Sequence, residues 1–389
     1  MIDRRKITLN YIAILLLFMT MGVGTFENPA IQTVIDAWPQ ISESSIRMMI
    51  TLPCLSSMIT MILIGHFVGH KISYKMITLI GLIIILLSGT LPFFIQLDWI
   101  MILICRIILG IGAGFCSVRS ALLIKTLPES KLSQFVGYGN VIASFTVVIL
   151  SPIVGTLSNH GWKYAFLCNL FAVICLIFVF LFIKEPNTNA DVINLKNQAK
   201  KIPLVVYGYM IIQFIATCAL YPLLSGISSL LSEMNINNAT FAGYMISIYT
   251  FGGVISNLLL SKMEKRLKKN ALGIASLLIA VGNGLIIFGG NILFIALGIF
   301  LSGFNFSIIS SLLQVYNGKA SSSSHIAQTS TLILATNQLG IFLSSYFIDL
   351  SSQLAFFDIE IKNVYLMSMV FFFALSLVCF IKKDKICFR

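Results

Sequence analysis

The amino-acid sequence predicts an all-α membrane protein of twelve transmembrane helices, arranged as two pseudo-symmetric six-helix bundles with both termini in the cytoplasm. Three observations predict it. The 389 residues are 58% hydrophobic and only 10% charged, where soluble domains carry about 25% charged residues, so lipid must be the solvent for most of the surface. Apolar runs of roughly the 20 residues a bilayer core requires recur along the whole chain. Lys and Arg gather on one side of those runs.

In order, the runs fall near 8–37, 46–65, 76–95, 99–124, 135–157 and 162–183, then 205–231, 240–261, 271–289, 291–317, 326–350 and 363–381. The lead MIDRRK looks like the start of a secretory signal, but the apolar run after it exceeds the short core of a cleavable signal, which predicts a retained first helix. That first run is longer than a bilayer needs and contains Pro29, so a kink is expected there. Beside the runs, 21 Lys and Arg lie on the side of the N-terminus, from Arg4, Arg5 and Lys6 onward. Only Arg47, Lys163 and Lys362 lie on the other side. This asymmetry places both termini in the cytoplasm. Lys184 to Pro203 is the longest polar interruption and has no apolar period. It reads as a linker (185–204) between a first bundle (1–184) and a second (205–389). The basic turns after the second and eighth spans, GHFVGHKISYK and SNLLLSKMEKRLKK, rhyme as the halves of a duplicated transporter would.

Composition and motifs also exclude function classes. The net charge of +12 is spread in short clusters between apolar runs, so no basic surface exists for a nucleic acid to follow. None of the eight cysteines forms a C-x-x-C pair, which argues against a disulfide framework or a thiolate zinc site. His66 and His70 are four apart but have no third ligand nearby, so a metal is not expected. There is no Walker loop, H-E-x-x-H or G-x-S-x-G. The sequence therefore reads as no enzyme and needs no cofactor. Its energy source would be an ion or substrate gradient, a proton gradient first. The expected partners are a small-molecule solute, protons and the lipid bilayer, with the chain working as a monomer.

Four sequence patterns, in order along the chain, resemble the major facilitator superfamily. Gly65 to Lys75 resembles its loop G-x-L-x-D-R-x-G-R-K between the second and third helices, with Gly69 in place of the Asp and Ile72 in place of the second Gly. Arg106-Ile107-Ile108-Leu109-Gly110, continuing to Gly112 and Gly114, resembles the fourth-helix pattern R-x-x-x-G-x-G-x-G. Ser151-Pro152-Ile153-Val154-Gly155 resembles the fifth-helix signature of proton-linked exporters, G-P-x-x-G-G, reduced at two glycines. Gly161-Trp162-Lys163-Tyr164-Ala165-Phe166 is similar to the G-W-R-x-x-F that leads into helix six. The resemblance implies a major facilitator fold and a transporter of the twelve-helix drug:proton antiporter type. It implies gating and hinge roles for Gly65, Lys71, Lys75, Gly110, Gly112, Gly114, Pro152 and Gly155. Physically, the three glycines of the fourth span allow close helix approach, and Pro152 removes a backbone hydrogen bond within a span.

Ionisable residues inside a membrane are costly and mark pathways by default. Two lie well away from span ends, Glu27 in the first span and Arg106 in the fourth. Counting 1.5 Å per residue from Trp38 and Trp99, they sit about 16 and about 10 Å below the same face. A guanidinium side chain bridges much of that difference, so the two are expected to pair as a proton-coupling site. Polar side chains within spans add Gln213 and Tyr221, Tyr249, Asn305 and Gln314, and Asn337 and Gln338. In the family helices one, four, seven and ten line the cavity, which favours Gln213, Tyr221 and Asn305, with Tyr249 beside them. The function expected is a secondary transporter working by alternating access, exporting small amphipathic organic compounds against protons. The rival is an uptake or exchange carrier in which Arg106 binds an organic anion. A sensor or enzyme on the same scaffold is the alternative of another class.

Overall fold

The computed structural model describes residues 2–64, 72–127, 129–185, 203–236, 238–267, 270–321, 326–352 and 360–381. Helices account for nearly all of them. The first predicted run is not one helix but a series: α1 (Ile2–Leu16), a 3-10 turn (Leu17–Gly22), a second 3-10 turn (Asn28–Ala30) and α2 (Ile31–Ala37). Gly24, at φ +90°, sits in the break with its α-carbon against the ring of Pro53, a backbone conformation and a contact that only glycine accommodates. The expected kink at Pro29 is therefore displaced. The chain breaks before Pro29, which lies at the second position of the short turn and so removes no internal hydrogen bond.

The next spans are α3 (Glu43–Ile64), α4 (Tyr74–Phe94) and α5 (Trp99–Cys116) with its continuation α6 (Arg119–Thr126). Then come α7 (Glu129–Ser158), a 3-10 stretch (Trp162–Leu170) and α8 (Phe171–Phe182). The second part holds α9 (Leu204–Ser225), α10 (Ile227–Glu233), α11 (Ala239–Leu267) and α12 (Ala271–Phe288). It ends with α13 (Ile292–Ala320), α14 (Ile326–Ser352) and α15 (Glu360–Ile381). Among the described residues ten helices are long and apolar enough to cross a membrane. Two shorter apolar stretches, Thr8–Gly22 and Leu332–Ile348, occupy the expected first and eleventh spans.

The buried apolar side chains form three clusters. One is drawn from residues 13–183 and another from residues 206–379. A third mixes the two parts, joining Ile31, Ile46, Trp99 and Phe166 to Tyr221 and Ile341. Close helix pairs repeat between the parts. Gly81 of α4 meets Gly112 of α5, a Cβ on either lying 2.8 Å from the other's carbonyl oxygen, and Gly282 of α12 meets Gly298 of α13 in the same way. Gly110 faces Pro53 and Ser56 of α3, as Gly303 faces Tyr249 of α11.

At the start of α4, the Glu185 carboxylate accepts from the backbone N–H groups of Tyr74 (2.7 Å) and Lys75 (2.9 Å), satisfying helix donors that have no internal acceptor. Lys75 Nζ donates to Phe180 O at 2.8 Å. This ties the basic turn after the second span to the end of the sixth. Gly65 and Lys71 lie outside the described residues.

Candidate functional site

The break in the first span places Glu27 between two short turns rather than inside a helix, with φ −82° and ψ 2°. Its carboxyl points at the middle of α5, where Arg106 Nη1 donates to Glu27 Oε1 at 2.9 Å. Both side chains are enclosed, at 0% and 1% exposure. Asn169 Nδ2 donates to the same oxygen at 3.0 Å and Cys168 Sγ lies 3.6 Å away, both from the start of the sixth span. The Arg106 guanidinium sits 4.8 Å from the centre of the Phe166 ring, a cation–π arrangement suited to a site without water.

The pair is incompletely satisfied. Glu27 Oε2, Arg106 Nε and Arg106 Nη2 are buried with no hydrogen-bond partner among the described residues. A buried ion pair recovers its desolvation cost only when its remaining donors and acceptors are also met. Three polar atoms of the pair are therefore left to meet a further hydrogen-bonding group.

The residue after Glu27 reaches the other part of the molecule. Asn28 Nδ2 donates to the hydroxyl of Tyr221 on α9 at 3.1 Å, both groups being buried. Gln213, two turns back along α9, lies in a polar group with Thr217, Ser310 and Asn337. The remaining expected cavity residues stand elsewhere. Asn305 is 1% exposed and donates to Leu301 O of its own helix. Tyr249 is half-buried, its backbone covered by Gly303.

The glycines of the fourth span divide between two neighbours. Gly110 and Gly114 face Pro53, Ser57 and Thr60 of α3, while Gly112 faces α4. Pro152 and Gly155 lie where α7 packs along α11. Pro152 has no N–H, so the carbonyl four residues back, Val148 O, loses its helical donor. Ser247 Oγ of α11 donates to it at 2.8 Å, so the break in one part is satisfied from the other. Gly155 allows Ala239 and Thr240 to approach the backbone of α7.

Sequence reading passed over two residues in this arrangement. Asn169 reads as an ordinary polar residue at a helix start. Arg47 reads as a charge flanking a span, yet it is 1% exposed. Its Nη1 donates to Ser225 O at 2.6 Å and its Nη2 to Ser229 Oγ at 3.1 Å and Glu43 Oε2 at 2.9 Å. The signal that finds it is its position one turn inside a helix whose neighbours Ile46, Met49 and Ile50 are all core residues. Around it, Asn159 Nδ2 donates to Asn238 Oδ1 (3.0 Å) and Thr51 Oγ1 lies 3.1 Å from Ser345 Oγ. These bonds close the far end of the molecule, where α2 runs into α3 and α4 into α5. There Trp38 meets Trp99 in a tilted contact and Trp162 edge-on, at centroid distances of 5.7 and 5.9 Å.

Solved transporters share this architecture. A POT family transporter in complex with 5-aminolevulinic acid superposes with a TM-score of 0.77 at 12% identity, covering 98% of this chain and 96% of that one. A nucleoside transporter gives 0.73 at 13% identity, covering 97% and 99%. A D-xylose-proton symporter gives 0.73 at 14%, covering 96% and 97%. No curated protein matches the sequence. The family pattern of the Major Facilitator Superfamily matches residues 10–345. With that match over most of its length and a multi-pass helical bundle of the same fold, the chain belongs to the Major Facilitator Superfamily of membrane transporters.

Proposed function

We propose that this transporter works by alternating access and is driven by protons, with Glu27 and Arg106 as the coupling site. The observation that carries the proposal is the enclosed, incompletely bonded Glu27–Arg106 pair, placed one residue from the Asn28–Tyr221 bond that joins the two parts. A proton taken up by Glu27 removes the negative charge that holds Arg106. Loss of the proton restores the pair. Since Asn28 follows Glu27 directly, the two charge states bear on the contact between the parts.

The proposed architecture is twelve spans in two six-helix bundles, 1–184 and 205–389, joined by the linker 185–204, with both termini cytoplasmic. The separate apolar clusters and the repeated glycine contacts support two bundles. The 21-to-3 charge asymmetry supports the orientation. The inter-bundle bonds of Arg47, Thr51 and Asn159 then form a closed outer end, leaving the cytoplasmic end as the one that opens. We propose export of small amphipathic organic compounds, supported by the exporter-like run at Ser151–Gly155, whose proline and glycine form the bundle joint. The second reading, uptake or exchange of an organic anion, is favoured by the two unpartnered nitrogens of Arg106.

Accumulation in resting cells tests the direction. The probe is a labelled compound chosen because it thermally stabilises the purified protein. Under the export reading, a protonophore raises its accumulation in cells expressing the transporter and not in cells lacking it. A protonophore-induced fall indicates uptake. No difference between the two strains removes proton-driven transport of that compound.

A further inference from the structure

Four polar side chains from three helices of the second part converge at a point the charged pair does not reach. Gln213 and Thr217 come from α9, Ser310 from α13 and Asn337 from α14. Gln213 Nε2 lies 2.9 Å from Asn337 Oδ1 and 3.1 Å from both Thr217 Oγ1 and Ser310 Oγ. Thr217 Oγ1 also lies 2.8 Å from Asn337 Oδ1. Gln213 and Thr217 are each 2% exposed. Ser310 and Asn337 are half-buried and form the accessible side of the group.

The hydrogen inventory is unbalanced in a specific way. An amide nitrogen carries two hydrogens and so serves two of the three acceptors around Gln213 Nε2. Asn337 Oδ1 is approached by Gln213 Nε2 and by Thr217 Oγ1, whose one hydrogen also has Gln213 O within 2.8 Å. Gln213 Oε1, in contrast, is buried with no donor among the described residues. The group thus holds an unpartnered carbonyl beneath a half-buried serine hydroxyl and carboxamide, donor and acceptor together, with no ionisable side chain among its four members. A carboxylate only accepts and would oppose the unpartnered carbonyl. An ammonium only donates, and would be desolvated without a counter-charge, which is costly. A hydroxyl or a carboxamide does both and remains uncharged.

We propose that Gln213, Thr217, Ser310 and Asn337 form the solute site of the second bundle and that the site selects an uncharged hydroxyl or carboxamide group. The proposal deepens the transport function above and rests on it. It also supplies a link to the coupling site. Gln213, Thr217 and Tyr221 follow at four-residue steps along one face of α9, and the Tyr221 hydroxyl meets Asn28 beside Glu27. A solute that ties α9 to α13 and α14 therefore acts on the helix whose other contact is with the proton-binding segment.

The test uses full-length protein in lipid nanodiscs and four probes with the same aromatic body: phenethyl alcohol, phenylacetamide, phenethylammonium and phenylacetate. Binding is read by tryptophan fluorescence and thermal shift, with no gradient imposed. The two neutral probes are expected to bind at least about tenfold more tightly than the two ions, the factor that one well-placed hydrogen bond contributes. Ser310→Ala, which removes a half-exposed hydroxyl, should weaken the neutral probes by a similar factor. Gln213→Glu keeps the shape of the side chain and should reverse the order in favour of phenethylammonium. A purely structural role for Gln213 would instead move all four probes together. Equal affinity for the four probes, an unchanged order in Gln213→Glu, or no binding of either neutral probe would overturn the proposal. Because these are equilibrium measurements, their failure leaves the proton-driven cycle standing, and failure of proton-driven transport leaves this binding pattern intact.

Discussion

Replacing Arg47 with Gln should release the closed far end. Two of its hydrogen bonds cross from α3 to the end of α9 and to α10, to Ser225 O at 2.6 Å and to Ser229 Oγ at 3.1 Å. The first also places a cation at the C-terminus of α9, where the helix carbonyls have no internal donors. The third partner, Glu43, is 60% exposed and is given no share of the energy. Hydrogen bonds to a charged group contribute about 1.5–3 kcal/mol each. Taking the lower end for both crossing bonds, the closed far end loses about 3 kcal/mol, on the order of a hundredfold in the closed-to-open ratio. Arg47→Lys keeps the charge but not the planar fork, so a shift of about tenfold is expected, corresponding to one bond lost. Disulfide trapping reads this directly. Asn159→Cys and Asn238→Cys replace side chains 3.0 Å apart across the same end. The trapping yield should fall steeply in Arg47→Gln and partly in Arg47→Lys. Quenching of the three tryptophans by external iodide should rise in parallel, since Trp38, Trp99 and Trp162 lie in ring contact at that end. Unchanged trapping and quenching in Arg47→Gln would refute the reasoning.

Other outcomes follow from the same geometry. Gly110→Val drives a side chain into Ser56 and the backbone of Pro53, so overpacking of about 1–3 kcal/mol should lower Tm by several degrees. Gly208→Val, with open space around it, is the matched control, and equal losses at both positions would contradict the packing account. Ser247→Ala leaves Val148 O, which is part-buried, without its donor, which should cost about 0.5–1.5 kcal/mol of stability. Differential scanning fluorimetry checks it, and Ser247→Thr should restore most of the loss. The proposed orientation, with both termini cytoplasmic, predicts that an impermeant maleimide labels Ser42→Cys and Asn159→Cys from outside the cell and leaves Asn197→Cys unlabelled. Strong external labelling at position 197 would invert or break the topology.

Much of the bundle was legible because lipid imposes a simple rule on sequence. Twenty-residue apolar runs marked the spans, and Glu27 and Arg106 stood out because a charge in such a run has few bland explanations. What was not legible depends on contacts between spans. The break before Pro29 needs Pro53 of another helix, against which Gly24 must fit. The fourth-span glycines are two apart in sequence, so Gly112 lies on the opposite face from Gly110 and Gly114. The pattern reads as one motif, yet it serves two neighbours. Arg47 looked like a flanking charge because hydropathy scores the run and not the side chain's direction. The unpaired carbonyl of Gln213 appears only once Ser310 and Asn337 converge on its amide from helices about 100 and 125 residues away in sequence, as the separations of 97 and 124 show.

The central claim is that Glu27 exchanges a proton for its bond to Arg106 during transport. Proteoliposomes with an imposed pH gradient measure it, using wild-type protein and Glu27→Gln with a labelled compound that stabilises both. The account predicts gradient-driven net movement by wild type and none by Glu27→Gln, while binding of the compound to the variant remains measurable. Gradient-driven transport by Glu27→Gln at the wild-type rate would contradict it.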